Sequence, residues 1–167
     1  MTAVWKAFCA GVSILALAAC GNSGEQTSTE VTGAPVDPAA QEIANTRHDA
    51  MEDIGDAFKT IRDQMKAGSP DMDAIKSAAA LIEEKSTQVG DWFPANTSPT
   101  LGVDTEALAT IWEKPEEFSA AVARFETAAA SLNGAAQSGD MTALGAAVQE
   151  IGGSCKNCHD SFRADDD

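Results

Sequence analysis

Residues 140–163 read DMTALGAAVQEIGGSCKNCHDSFR. Met141, Leu144, Val148, Ile151, Cys155, Cys158 and Phe162 recur at steps of three and four, the spacing that puts side chains on one face of an α-helix. Asp140 stands just before the stripe, where a side-chain oxygen can accept from the first free amides of a helix. Three further stripes precede it. Ile43, Arg47, Ala50, Met51, Ile54, Phe58, Ile61 and Met65 predict a helix over 39–66, ended by Gly68-Ser69-Pro70. Ser69 as cap and Pro70 as first residue predict a second helix over 70–90, with Met72, Ile75, Ala79, Ile82 and Val89 inward. A connection from Trp92 to Asp104 follows, with a short helical piece over 105–112. Pro115 then opens a helix with Phe118, Val122, Phe125, Ala129 and Leu132 inward, stopped at Asn133-Gly134. Four amphipathic stripes joined by loops predict an all-α, antiparallel four-helix bundle, whose inner face is where such folds build cofactor sites.

Composition agrees with helices, and charge limits the partners. Lys and Arg number 11 against 26 Asp and Glu, and tyrosine is absent. Loss of a leader would remove Lys6 and leave 10 against 26, a net −16. Nucleic acid is excluded as a partner, because phosphate binding rests on positive charge. A protein with a basic docking surface fits.

The N-terminal 38 residues read as address and tether. Met1–Lys6 is weakly basic and residues 7–19 are apolar but too short to span a bilayer, so residues 1–19 are expected to be a signal peptide. Leu17-Ala18-Ala19-Cys20-Gly21 resembles the bacterial lipobox, in which the cysteine is acylated and becomes the new N-terminus; Ala16-Leu17-Ala18 also fits ordinary cleavage. Lipid attachment at Cys20 is the expectation. Gly21 after it resembles lipoproteins passed to the outer membrane, if the source is Gram-negative. Residues 20–38, rich in Gly, Ser, Thr, Glu and Pro, form a linker with little to bury, and 39–167 form the bundle.

Cys155-Lys156-Asn157-Cys158-His159 carries the chemistry. Two thiols one turn apart share a helix face, and the adjacent imidazole can turn toward a metal; this is the spacing of covalent c-type haem attachment. Export suits it, since a covalent bond keeps the cofactor from diffusing away. A zinc site would need ligands beyond His48 and carboxylates. A dithiol pair would want a strand-helix context, and a disulfide one turn apart would close almost no loop.

From residue 40 to 164 the chain resembles the class II cytochromes c, the cytochrome c prime family. The resemblance rests on Arg47-His48-Asp49-Ala50-Met51, Trp92-Phe93-Pro94, Thr105-Glu106-Ala107, Ile111-Trp112, Phe118 and Cys155 to Arg163. Ala109 departs from it, standing where members commonly have proline. It implies one covalent haem c, with Met51 at the distal position opposite His159, either ligating the iron through its sulfur or only packing there; ligation is the expectation. It implies that Arg47 bonds a haem propionate, against the alternative of an exposed ion pair, and that Arg163, four residues after His159, lies near the proximal pocket. Phe162 is expected to pack, and His48, off the inward stripe, to be solvated. The expected role is electron transfer with redox partner proteins at an extracytoplasmic membrane surface, periplasmic and lipid-anchored, without enzymatic bond breaking. The alternative is a high-spin protein binding nitric oxide or carbon monoxide at an open distal site. No distal acid-base pair suggests a peroxidase. Members dimerise through their first two helices, so a homodimer is a further expectation.

Overall fold

A computed structural model describes residues 35–165. The proposed signal peptide, Cys20 and most of the linker lie outside them. The helices are α1 (Pro38–Lys66), α2 (Met72–Ser86), α3 (Thr110–Glu113), α4 (Pro115–Ser138) and α5 (Met141–Phe162). No described helix is long and apolar enough to cross a membrane.

Aspartates start three of the four long helices. Asp37 Oδ1 accepts from Ala39 N (3.0 Å), Asp71 Oδ1 from Asp73 N and Ala74 N (3.0 Å each), and Asp140 Oδ1 from Thr142 N and Ala143 N (2.8 and 3.1 Å). A carboxylate satisfies two orphan amides and meets the positive end of the helix dipole. That is why α2 starts at Met72 with Asp71 as cap, rather than at Pro70 behind Ser69. It ends at Ser86, short of the expected residue 90. The Ser86 and Thr87 hydroxyls donate back to Glu83 O and Glu84 O (2.8 Å each), and Val89–Trp92 tightens into a 3₁₀ turn.

α4 passes through Asn133-Gly134. Asn133 Nδ2 donates to a Glu83 oxygen on α2, Gln137 Nε2 donates to Asn133 Oδ1 (3.0 Å), and Leu132 and Ala136 are fully buried on either side. With its polar atoms satisfied, the asparagine does not compete with the helix. The stop falls at Gly139, whose φ of +73° is a left-handed cap that favours glycine. The expected helical piece over 105–112 shrinks to α3, because residues 106–108 pair with the end of α5.

α1 packs along α2, α2 along α4, and α4 along α5. Ile61, Ile75, Ala79, Ile82, Ala129, Leu132, Leu144 and Ile151 fill the centre. On α1 the buried line is Ala40, Ala44, Arg47, Ile54 and Ile61. Met51, Phe58 and Met65 flank it half-buried, and Ile43, expected inward, is 37% exposed. Met141 on α5 is likewise 40% exposed.

Candidate functional site

Two glycines of α5 mark where it faces α1. A Cβ on Gly145 would stand 3.8 Å from Met65 Cε, and one on Gly152 would stand 3.6 Å from Phe58 Cζ. Seven residues back along α1 thus match seven residues forward along α5, as two antiparallel helices of equal rise require. The same two-turn step from Phe58 and Gly152 arrives at Met51 and His159. The methionine is half-buried and packed against the core; the histidine is exposed on the last turn of α5. His48, one turn before Met51, is solvated as expected, with Nε2 3.6 Å from Glu52 Oε1.

Cys155 and Cys158 are free thiols, both half-buried against the core. Burial, with a smaller push from Cys158, raises the Cys155 thiol to about 11, and burial also raises Cys158 against the partial relief of the Arg124 charge. Such burial favours the neutral thiol over the thiolate. Among the described residues no three His, Cys, Asp or Glu side chains gather as a metal site.

Arg47 is 5% exposed, which removes the exposed ion-pair alternative. Its Nη1 donates to Trp92 O (3.0 Å) and Thr97 Oγ1 (3.1 Å), its Nη2 donates to Thr105 Oγ1 (2.8 Å), and its guanidinium lies 4.5 Å from the Phe93 ring centroid. All these partners are neutral, and burial pushes the guanidinium below its ordinary value. A desolvated cation without a carboxylate is a place for an incoming anion.

The end of α5 is fastened to the segment before α3. Leu108 N donates to Phe162 O (2.9 Å), Ala164 N to Glu106 O (2.8 Å) and Thr110 Oγ1 to Ser161 O (2.9 Å). Arg163 leaves the helix as its extended C-cap, so it does not sit one turn along the same face, and its Nε donates to Glu106 Oε2 (2.8 Å). That bond, followed by the charges of Arg163, His48 and His159, holds the Glu106 carboxyl below its ordinary range against slight desolvation. Edge-on rings lead inward from here: Phe162 to Phe118 at 5.3 Å and Phe118 to Phe93 at 4.8 Å. Trp112 closes the row, its Nε1 donating to Phe93 O and Pro94 O (3.2 Å each).

Paired thiols, a histidine beside them, a methionine level with that histidine and a buried unpaired cation coincide with a match to the family model described as Cytochrome C', over residues 42–163. The chain belongs to the cytochrome c' family. It is 33% identical to cytochrome c' of Rhodospirillum rubrum over 83% of this chain and 91% of that one. Cytochrome c' from Rubrivivax gelatinosus superposes with a TM-score of 0.68 at 30% identity, covering 74% and 96%. The nitric oxide complex of a mutant cytochrome c prime from Alcaligenes xylosoxidans does so with 0.68 at 25%, covering 75% and 97%. The cofactor of this cytochrome c' is one covalent haem c. The residues present fit that group: both thiols lie one turn apart on α5, half-buried against the core, with the imidazole of His159 next to them in the chain, and the helix register extrapolates to Met51 on α1. Thr97, Thr105, Phe93 and Glu106 are the site residues that periodicity missed, since all lie in loops or a short 3₁₀ turn. Phe93, Thr105 and Glu106 stand only among the residues of the family resemblance.

Proposed function

We propose that this cytochrome c' is an electron carrier at an extracytoplasmic membrane surface, with its haem attached at Cys155 and Cys158 and its iron held between His159 and Met51. The observation that carries this reading is the helix register, which brings Met51 level with His159. Bound haem supplies an iron that changes oxidation state by one electron. The chain's residues do the rest. Met51 offers a neutral thioether, which favours the ferrous state, and His159 offers an imidazole from the opposite helix. Arg47 meets a propionate with a guanidinium whose geometry suits a carboxylate. Arg163, held by Glu106, stands near the proximal side. The Phe93, Phe118 and Phe162 rings keep water from the inner edge. No bond of a substrate is broken, so the reading is a carrier and not an enzyme.

The 26 acidic against 11 basic residues suit redox partners with a basic docking surface, which such a field would steer into contact. Acylation of Cys20 would hold the domain at the membrane, in the periplasm and on the outer membrane if the source is Gram-negative. A homodimer through α1 and α2 is consistent with the family. The second reading is a high-spin protein that takes nitric oxide or carbon monoxide at the distal side; it is favoured by the relative solved as a nitric oxide complex and by the half-exposed position of Met51. Absorption spectra of the ferric and ferrous protein test the choice. A low-spin ferric spectrum with a sulfur-to-iron charge-transfer band is expected; a high-spin ferric spectrum moves the assignment to gas binding.

A further inference from the structure

Residues 103–110 cross the open end of the seam between α1 and α5, and their fastenings divide between the two helices. The first three face α1. Val103 is buried with Ala40 and Ala44. Asp104 exchanges two hydrogen bonds with Gln41, its N donating to Oε1 and its O accepting from Nε2 (2.9 Å each). Thr105 Oγ1 accepts from Arg47 Nη2 at 2.8 Å. From Glu106 on, the segment faces α5, through Glu106 O, Leu108 N and Thr110 Oγ1. One side-chain atom bonds to both halves: Thr105 Oγ1 also accepts from Ala107 N (3.1 Å), the residue bridged to Arg163 at the end of α5.

We propose that Thr105 is a positioning residue of the haem site: its hydroxyl fastens the Arg47 guanidinium of α1 to the segment pinned on the last turn of α5, and so sets the gap between Met51 and His159. At the inner end the seam is fixed by rings and glycines, Met65 on Gly145 and Phe58 on Gly152. At the outer end, where Met51 and His159 stand, α1 and α5 are linked through this clamp. A bond from a charged guanidinium is worth more than a neutral one, and its acceptor is a side-chain oxygen that both halves of the clamp share. Thr97 also accepts from Arg47, but it ties back to Pro94 and not to α5. Thr105 therefore governs two things together: the direction in which the buried guanidinium is presented, and the spacing of the two helices.

The proposal rests on the reading that Met51 and His159 face one iron, and the experiment separates the two. In the haem-loaded protein, Thr105→Val keeps the shape of the side chain and removes the acceptor, while Thr105→Ser keeps the oxygen. Each is read by ferric spin state, midpoint potential, carbon monoxide association rate and, separately, thermal unfolding. The valine variant should gain high-spin ferric protein, lose intensity in the sulfur-to-iron band and bind carbon monoxide about tenfold faster, the factor that loss of one charge-assisted bond implies. The serine variant should match wild type in all three. A valine variant that only unfolds at lower temperature, with wild-type spectrum, potential and rate, overturns the proposal, as does a serine variant that behaves like valine. Should the valine variant fail to accumulate, Thr105→Ala removes the same oxygen and is judged by the same readouts. If wild type is itself high-spin, the Met51 reading has failed on its own; Thr105 is then judged on potential, which must move in the valine variant and not in the serine one.

Discussion

Met51→Leu and Met51→Ala, made in parallel, divide what the sulfur does from what the side chain's bulk does. Met51 is half-buried and leans on the core from the flank of α1. Truncation to alanine should therefore cost about 2 kcal/mol in packing, the lower end of large-to-small core changes, because part of the side chain already meets water. In a domain of this size that lowers Tm by about 5–10 °C. Leucine nearly conserves the volume and should cost less than about 1.5 kcal/mol. If the thioether ligates iron, both variants should become high-spin, lose the charge-transfer band, fall in midpoint potential and bind carbon monoxide quickly, since no bond has to break first. Packing alone predicts a different split: alanine loses stability, leucine barely does, and neither changes the spectrum. The assays are ferric and ferrous absorption, potentiometric titration, stopped-flow carbon monoxide binding and urea denaturation. A leucine variant with the wild-type ferric spectrum would refute ligation, however unstable the alanine variant proves.

Haem should stay with the wild-type polypeptide through denaturing electrophoresis, while Cys155→Ser combined with Cys158→Ser should release it; haem washing out of the wild-type chain would remove the covalent assignment. Cys20→Ala should abolish both membrane fractionation and uptake of labelled fatty acid, and wild-type protein found wholly in the soluble extracytoplasmic fraction would indicate ordinary cleavage. The Glu106 carboxyl is held below its ordinary range first by the Arg163 bond, so its stabilisation is present above that range and is lost as pH falls through the folded value. Denaturation of wild type and Glu106→Gln should thus differ at neutral pH, by under about 1 kcal/mol because the pair is largely exposed, and converge in acid. A gap that persists in acid would mean the glutamine acts through something other than lost charge.

Much of this fold was legible because each long helix carries a local instruction. Asp140 caps α5 and Pro115 opens α4 as expected, and the stripe of Phe118, Val122, Phe125, Ala129 and Leu132 is buried throughout. Where the reading failed, a neighbour in space had taken over. Asn133-Gly134 looks like a stop until Glu83, fifty residues away, satisfies the asparagine. Residues 106–108 look helical until their backbone groups pair with the end of α5. Nor could periodicity say that Arg47 would be enclosed by Trp92, Thr97 and Thr105, all distant in the chain.

By itself the sequence determined the helical class and the reactive motif, because a 3.6-residue period and a Cys-x-x-Cys-His spacing are properties of one stretch of chain and need no partner to be expressed. Only the tertiary structure decided how α1 and α5 are registered against one another. Two helices separated in the chain by residues 67–140 can slide past one another in steps that leave each stripe intact. In the register they adopt, Phe58 faces Gly152 and Met65 faces Gly145, and the Arg47, Thr105 and Glu106 clamp closes the open end.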